Sequence, residues 1–159
     1  MNRTQKSARD LYVDEIQFLL RLKEAIGLLN RIHDKLALVA IERLQPRNPK
    51  LRLVYTNAGA AGIDIRGFDS RKALRLVAEV KTTLTDPKGK IPVRRKTAIQ
   101  KDLDRLRDAP GALVRYLVVL SPRTKEATER QLSTAARYPT VLIMNALDVE
   151  LVDTNSGDE

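Results

Sequence analysis

The sequence predicts an α/β domain in which a mixed central sheet lies between helices and a long helix forms the N-terminus. Three patterns support this fold class: an N-terminal helical segment, three consecutive strand-like runs, and a later alternation of helix and strand. The chain has 159 residues, of which 43% are hydrophobic, and this is enough for one domain with a sizeable core. We expect a single domain over residues 1–153 and an acidic tail at 154–159.

The first predicted element is a helix over about residues 8–44. Apolar residues recur there in alternating steps of three and four, at Leu19, Leu22, Ile26, Leu29, Leu36 and Ala40. His33 falls on the same stripe, and we interpret it as a half-buried histidine with hydrogen-bond partners rather than a ligand. Pro46 and Pro49 end the helix. The stripe fits packing on a sheet, and its length also allows a helix-mediated dimer.

The remaining elements are predicted from local periodicity and from turn residues. In order, they are strands at 51–56, 61–68 and 73–83, a helix at 94–107, a strand at 112–120, a helix at 122–136, and short strands at 140–144 and 149–152. Ile99, Leu103 and Leu106 form the inward face of the second helix. Ser121 is the predicted N-cap of the third helix, with Pro122 at its first position.

Composition limits the classes of function. Lys and Arg number 29 against 20 Asp and Glu, so the formal net charge is +9 and favours a polyanionic partner such as nucleic acid. The lack of cysteine excludes disulfides, thiolate zinc sites and a cysteine nucleophile. Aromatic residues make up only 4%, so phosphate contacts rather than base stacking should dominate. A polar N-terminus and the lack of long apolar runs predict a cytoplasmic protein that does not enter a membrane.

Three charged side chains share one face of the second and third predicted strands. Side chains alternate between the faces of a strand, so Asp64 points away from Ile63 and Ile65. Glu79 and Lys81 share one side of the next strand. Pairing of the two strands through their connecting turn brings Asp64 to the same side.

The connecting turn decides how close the two acids come. A tight turn at residues 70–71 places Asp64 opposite Val77, whereas a register shifted by two places Asp64 directly across from Glu79. Neighbouring carboxylates repel each other. Mg²⁺ would offset this repulsion, because it takes one or two carboxylates and completes its shell with water and phosphate oxygens. Lys81 could then orient or deprotonate the coordinated water, as phosphodiester hydrolysis requires.

Asp64, fourteen intervening residues and then Glu79-Val80-Lys81 resemble the active-site signature of the PD-(D/E)XK nuclease superfamily. This superfamily includes restriction endonucleases and archaeal Holliday-junction resolvases. The resemblance covers roughly residues 51–120 and implies a restriction-endonuclease-like three-layer domain that uses Mg²⁺, with Mn²⁺ as an alternative. It also implies that Asp64 and Glu79 ligate the metal and that the Val80 carbonyl is a further ligand. Lys81 would position the attacking water.

The resemblance suggests further residues around the site. Superfamily members often carry an acidic residue on the first helix that joins the metal site. Glu15 is our candidate for this ligand, and Glu24 and Glu42 are the competing candidates. For each of the three, the alternative is a glutamate on a solvent-exposed helix face without a role in the site. Gln100, in the helix after the catalytic strand, is a candidate supporting residue. The basic residues expected to bind nucleic acid are Lys88, Lys90, Arg94, Arg95, Lys96 and Lys101. A solvated loop would explain the same charges.

We therefore expect a Mg²⁺-dependent DNA endonuclease, either a restriction-type catalytic subunit or a structure-specific nuclease. Cutting both strands needs two such sites, so we expect a homodimer or a partner subunit. Three alternatives stay open. They are an exposed, charged strand face without chemistry, a non-catalytic nucleic-acid-binding module of the same fold, and a basic RNA-binding domain with salt-sensitive affinity.

Overall fold

A computed structural model of the protein describes residues 11–13, 15–16, 28–56 and 62–151. The helices are α1 (Leu28–Leu44), α2 (Val93–Arg107), α3 (Pro122–Leu132) and α4 (Thr134–Arg137). The strands are β1 (Arg52–Tyr55), β2 (Ile65–Phe68), β3 (Leu74–Lys81), β4 (Val114–Val119) and β5 (Val141–Asn145). In the described part of the chain, no helix combines the length and apolarity needed to cross a membrane.

A five-stranded mixed sheet in the order β1-β2-β3-β4-β5 forms the centre of the fold. The pairs β1–β2 and β2–β3 are antiparallel, whereas β3–β4 and β4–β5 are parallel. α1 packs on one face through Ile32 and Leu36, and α2 packs on the other through Ile99, Leu103 and Leu106. This architecture confirms the predicted α/β class, with a mixed sheet between helices.

Only part of the predicted N-terminal helix can be compared with the structure. Residues 11–13 and 15–16 are helical, and α1 begins at Leu28. Of the predicted apolar stripe, Leu36 and Ala40 are fully buried. Residues 17–27 and the predicted acidic tail lie outside the described residues.

Two predictions about the C-terminal half are wrong. The helix predicted at 122–136 is two helices, because Ser133 adopts a left-handed conformation with φ of 49° and separates α3 from α4. Residues 149–151 are not a strand. Arg43 of α1 donates hydrogen bonds to the carbonyls of Asn145 and Ala146, so the chain after β5 turns onto α1 instead of extending the sheet.

The start of β2 differs from the predicted strand at 61–68. β2 begins at Ile65, and Asp64 lies in a bend just before it. Ile63 packs with the hydrophobic cluster on the α2 side, whereas Ile65 lies in the cluster on the α1 side. The prediction that these two isoleucines share a face is therefore wrong, because regular alternation holds only inside the strand.

The pairing of β2 with β3 decides between the two predicted registers. Ile65 pairs with Ala78, which places Asp64 across from Glu79. A bulge between Gly67 and Phe68 shifts the register before the turn. The shifted register, with Asp64 across from Glu79, is therefore correct. The turn at residues 70–71 is nevertheless tight, because the Lys72 N–H donates to the Asp69 carbonyl at 2.9 Å, so the bulge and not a wider loop shifts the register.

Gly67 sets how closely β2 approaches its neighbours. It is buried, and a Cβ atom at this position would lie 2.9 Å from both Leu53 Cδ2 and Leu76 Cβ. We predict that Gly67→Ala lowers the free energy of unfolding by about 1–3 kcal/mol, because the overpacked strands must separate. Ser70→Ala, at an exposed turn position, is the control. Equal thermal unfolding midpoints for both variants and the unmodified protein would contradict this prediction.

Candidate active site

Asp64 and Glu79 meet at the edge of the sheet where β2 begins and β3 approaches its end. Glu79 is only 2% exposed. The Oδ2 atom of Asp64 accepts the backbone N–H of Val80 at 2.8 Å. Because β2 begins only at Ile65, the Asp64 side chain takes the place of a backbone acceptor for that N–H. The bend before β2 thus holds the Asp64 carboxylate against β3.

The two carboxyl groups differ in their tendency to ionise. Burial, followed by the charge of Asp64, raises the pKa of Glu79 from 4.5 to about 8. Burial also opposes ionisation of Asp64, but hydrogen bonds from His33 and from the Val80 N–H outweigh it and lower the pKa of Asp64. Of the two carboxyl groups, Glu79 is therefore the one that keeps a proton to higher pH.

His33 of α1 is a direct neighbour of this pair. Its Nε2 atom lies 3.3 Å from Asp64 Oδ2, and its Nδ1 atom lies 3.5 Å from the hydroxyl of Tyr55 on β1. The Tyr55 hydroxyl also donates to Asp34. His33 is half-buried with hydrogen-bond partners, as interpreted from the sequence. The sequence did not indicate that one partner is Asp64.

A chain of alternating charges links Glu79 to Lys81 through α2. Arg105 Nη1 lies 2.8 Å from Glu79 Oε1 and 3.7 Å from Asp102 Oδ1. The other Asp102 oxygen forms an ion pair with Lys81 Nζ. Asp102 is 5% exposed, so it is a fixed buried anchor for both cations. The structure therefore holds Lys81 on the same face as Glu79.

Asp102 and Arg105 were missed in the sequence analysis, although the sequence contains a signal for Asp102. The inward stripe of α2 consists of Ile99, Leu103 and Leu106, and Asp102 lies on the same face. An acid among buried apolar positions needs a cationic partner. That requirement indicates a buried ion pair, but only the packed structure identifies Lys81 as the partner.

The Val80 carbonyl is in a suitable place for its predicted role as a ligand. The N–H and C=O groups of one strand residue point toward the same neighbouring strand. Since the Val80 N–H points to the Asp64 carboxylate, its carbonyl faces the same edge, next to the point where β2 begins. A cation at the acidic pair would therefore meet two carboxylates and one backbone oxygen.

The donors at this edge fit a hard divalent cation. Carboxylate and carbonyl oxygens are the ligands that Mg²⁺ prefers, and Mg²⁺ usually keeps several waters. Within residues 11–13, 15–16, 28–56 and 62–151, no group of three or more His, Cys, Asp and Glu side chains is arranged to hold a metal ion. Water and phosphate oxygens would have to complete the coordination shell. A bound cation would displace the proton that burial favours on Glu79, because a metal ligand must be deprotonated.

The candidate glutamates of the N-terminal region show no contact with the acidic pair in the described residues. Glu15 forms ion pairs with Lys35 at 2.9 Å and with Arg31 at 3.8 Å, both on α1. Glu42 is exposed on α1, and Glu24 lies outside the described residues. No contact in the described structure brings Glu15 to the acidic pair.

Helix geometry divides the predicted residues of α2 between two flanks. Arg94, Lys101 and Arg105 are exposed and follow one another at spacings of seven and four residues, so they fall on one flank of α2. Lys96 and Gln100 lie on the other flank, so the structure does not bring Gln100 to Glu79. The six basic residues predicted from the sequence lie on α2 or in the loop before it, and all except Lys96 are exposed: Lys88, Lys90, Arg94, Arg95, Lys96 and Lys101.

Comparison with known proteins gives a limited result. No family model matches the chain, and no curated protein matches it. Among solved structures, the chain is similar to the crystal structure of a repair endonuclease from Pyrococcus abyssi, with 19% sequence identity and a TM-score of 0.36. The similarity covers 69% of this chain and 45% of that chain, so it spans less than half of the endonuclease. The function proposed below rests on the residues of the site.

The raised pKa of Glu79 predicts a pH-dependent stability. The folded state keeps a proton that the unfolded chain releases above 4.5, so this group makes folding less favourable as the pH rises from 4.5 to about 8. In metal-free buffer, the unfolding midpoint of Glu79→Gln should therefore be several degrees above that of the unmodified protein at about pH 8. Near pH 4.5 the two proteins should be equally stable.

Thermal unfolding of both proteins across this pH range tests the prediction. Glu42→Gln, which removes an exposed carboxylate, is the control and should show no such trend. A stability difference between Glu79→Gln and the unmodified protein that stays constant with pH would show that Glu79 ionises normally.

Proposed function

We propose that the protein is a Mg²⁺-dependent DNA endonuclease of the PD-(D/E)XK type, with Mn²⁺ as an alternative metal. The observation that carries the proposal is the pair formed by half-buried Asp64, in the bend before β2, and buried Glu79 on β3, with Lys81 held on the same face of β3 as Glu79. Two neighbouring carboxylates beside an anchored ammonium are the groups needed to bind a cation and a phosphodiester together.

Each residue of the site has a distinct role in this proposal. Asp64, Glu79 and the Val80 carbonyl hold the metal. When bound, Mg²⁺ supplies Lewis acidity, which lowers the pKa of a coordinated water and stabilises negative charge on the phosphate. Lys81, held by Asp102, orients the attacking water and offsets phosphate charge. Burial of Asp102 keeps the ammonium of Lys81 in one place.

Arg105 is the residue that must move when the site binds its ligands. Its guanidinium pairs with Glu79 Oε1, which is a prospective metal ligand. The Arg105 side chain is 49% exposed, so it can turn toward a phosphate while Glu79 binds the cation. The flank that it shares with Arg94 and Lys101 would continue the contact along the DNA backbone.

A second candidate function is a nucleic-acid-binding module of the same fold without catalysis. The Arg105–Glu79 ion pair favours this binding module, because the guanidinium partly neutralises the acidic site and occupies an oxygen that a metal would need. Either function would use DNA as partner through the basic body of the chain, whose net charge is +9. As an endonuclease, it would act as a homodimer or with a partner subunit, so that both strands can be cut.

We predict that Asp64→Asn, Glu79→Gln and Lys81→Ala each lower the rate of plasmid cleavage with Mg²⁺ by about a hundredfold or more, while DNA affinity stays within about twofold. The carboxylate changes remove metal ligands, and Lys81→Ala removes the group that positions the water. A gel assay of plasmid nicking, paired with a binding assay in EDTA, measures both quantities.

Glu42→Gln is the matched control and should cleave like the unmodified protein, because Glu42 is exposed on α1. Undiminished cleavage by the three site variants would exclude the proposed active site. Metal-independent DNA binding without any nicking by the unmodified protein would favour the binding module. RNA affinity that is salt-sensitive, with no response to metal or to these variants, would favour an RNA-binding domain.

A further inference from the structure

Two arginines of α3 reach the same point on the loop between β3 and α2. Arg123 and Arg130 lie seven residues apart and therefore on one side of α3. Arg123 donates to the Pro87 carbonyl, and Arg130 Nη2 lies 3.4 Å from the Gly89 carbonyl oxygen. The loop itself is fixed to α3 by Gln131, whose amide donates to the same Gly89 carbonyl at 2.8 Å.

The two guanidinium groups come close together beside Gly89. Its φ of +74° favours glycine, and a Cβ atom there would lie 3.8 Å from the Nη2 atoms of both Arg123 and Arg130. The two nitrogens can therefore be no more than 7.6 Å apart. Two positive charges at this separation repel each other unless an anion lies nearby.

The neighbouring acids neutralise this pair of charges only in part: exposed Glu126 lies three and four residues from the two arginines, and the other acids are engaged elsewhere. Glu129 of α3 is paired with Lys125. Asp86 accepts the backbone N–H of Lys90 at 2.7 Å and closes the loop. Among the described residues, no carboxylate lies within ion-pair distance of Arg123 or Arg130. Each guanidinium also carries more N–H donors than the one that contacts a loop carbonyl.

The two arginines lie at the same edge of the sheet as the acidic pair. β3 and β4 are parallel, so their carboxyl ends meet at one edge. The loop leaves β3 directly after Lys81, and α3 begins at Pro122, just after β4. Exposed Lys90 lies in the same loop and adds a further positive charge to this edge.

We infer that Arg123 and Arg130, together with Lys90, bind backbone phosphates of DNA next to the bond that is cut. We call these three residues the phosphate clamp. This inference rests on the proposed function, which makes DNA the partner. Guanidinium groups bind phosphate oxygens through charge-assisted hydrogen bonds, and a phosphodiester backbone supplies successive negative charges along one strand.

The test measures how DNA affinity depends on salt. With a short DNA duplex in EDTA, Arg123→Ala/Arg130→Ala should lower affinity about tenfold, and the slope of log affinity against log salt should shrink by about one to two. Arg123→Lys/Arg130→Lys keeps both charges and should retain most of the slope. The matched control is Arg71→Ala/Arg137→Ala, which removes two exposed arginines at the opposite edge and should stay within about twofold.

Glu126→Gln gives an independent readout that leaves both arginines intact. Glu126 is exposed on α3, three and four residues from Arg123 and Arg130, so its removal should raise DNA affinity about twofold. If the double alanine variant fails to fold, Glu126→Gln decides the outcome, and DNA affinity unchanged from the unmodified protein would then overturn the clamp. An unchanged salt slope in the double alanine variant, or an equal loss of affinity in the control, would also overturn it.

The clamp and the nuclease assignment can fail separately. If the unmodified protein does not cleave DNA but the clamp variants lose affinity, the clamp stands and the nuclease assignment fails. If the unmodified protein cleaves and the double alanine variant binds with an unchanged slope, the clamp fails and the nuclease assignment stands.

Discussion

The burial of Glu79 beside Asp64 is the constraint on which the rest of the site depends. Two carboxylates in a site of low solvent access cannot both ionise without compensation, so the chain surrounds them with donors and cations. The Val80 N–H and His33 contact Asp64, and Arg105 contacts Glu79. These partners come from β3, α1 and α2, so both layers of helices are tied to the pair. Such a costly arrangement is expected at a functional site rather than on a structural strand face.

The fold could be predicted where local signals decide the structure. The apolar stripe of α2 and the N-cap at Ser121, which accepts the Thr124 N–H, are such signals. The bulge at Gly67 could not be predicted, because it depends on how closely neighbouring strands approach. The break between α3 and α4 could not be predicted either, because nothing in the sequence around Ser133 marks the left-handed conformation that it adopts.

The site was predictable only along β2 and β3. Strand alternation was enough to bring Glu79 and Lys81 to one face of β3, but the bend before β2, and not alternation, holds Asp64 beside Glu79. Its other members come from segments distant in sequence: His33 lies 31 residues before Asp64, and Arg105 lies 26 residues after Glu79. Periodicity shows which face such residues occupy on their own helix, but only packing fixes what they touch.

The most direct test of a metal-binding acidic pair is the anomalous difference density of crystals grown with Mn²⁺. We predict one peak bound by the carboxylates of Asp64 and Glu79 and by the Val80 carbonyl, with Arg105 turned away from Glu79. The proposed metal site would be contradicted if crystals at saturating Mn²⁺ showed no anomalous peak at this edge of the sheet and Arg105 still paired with Glu79.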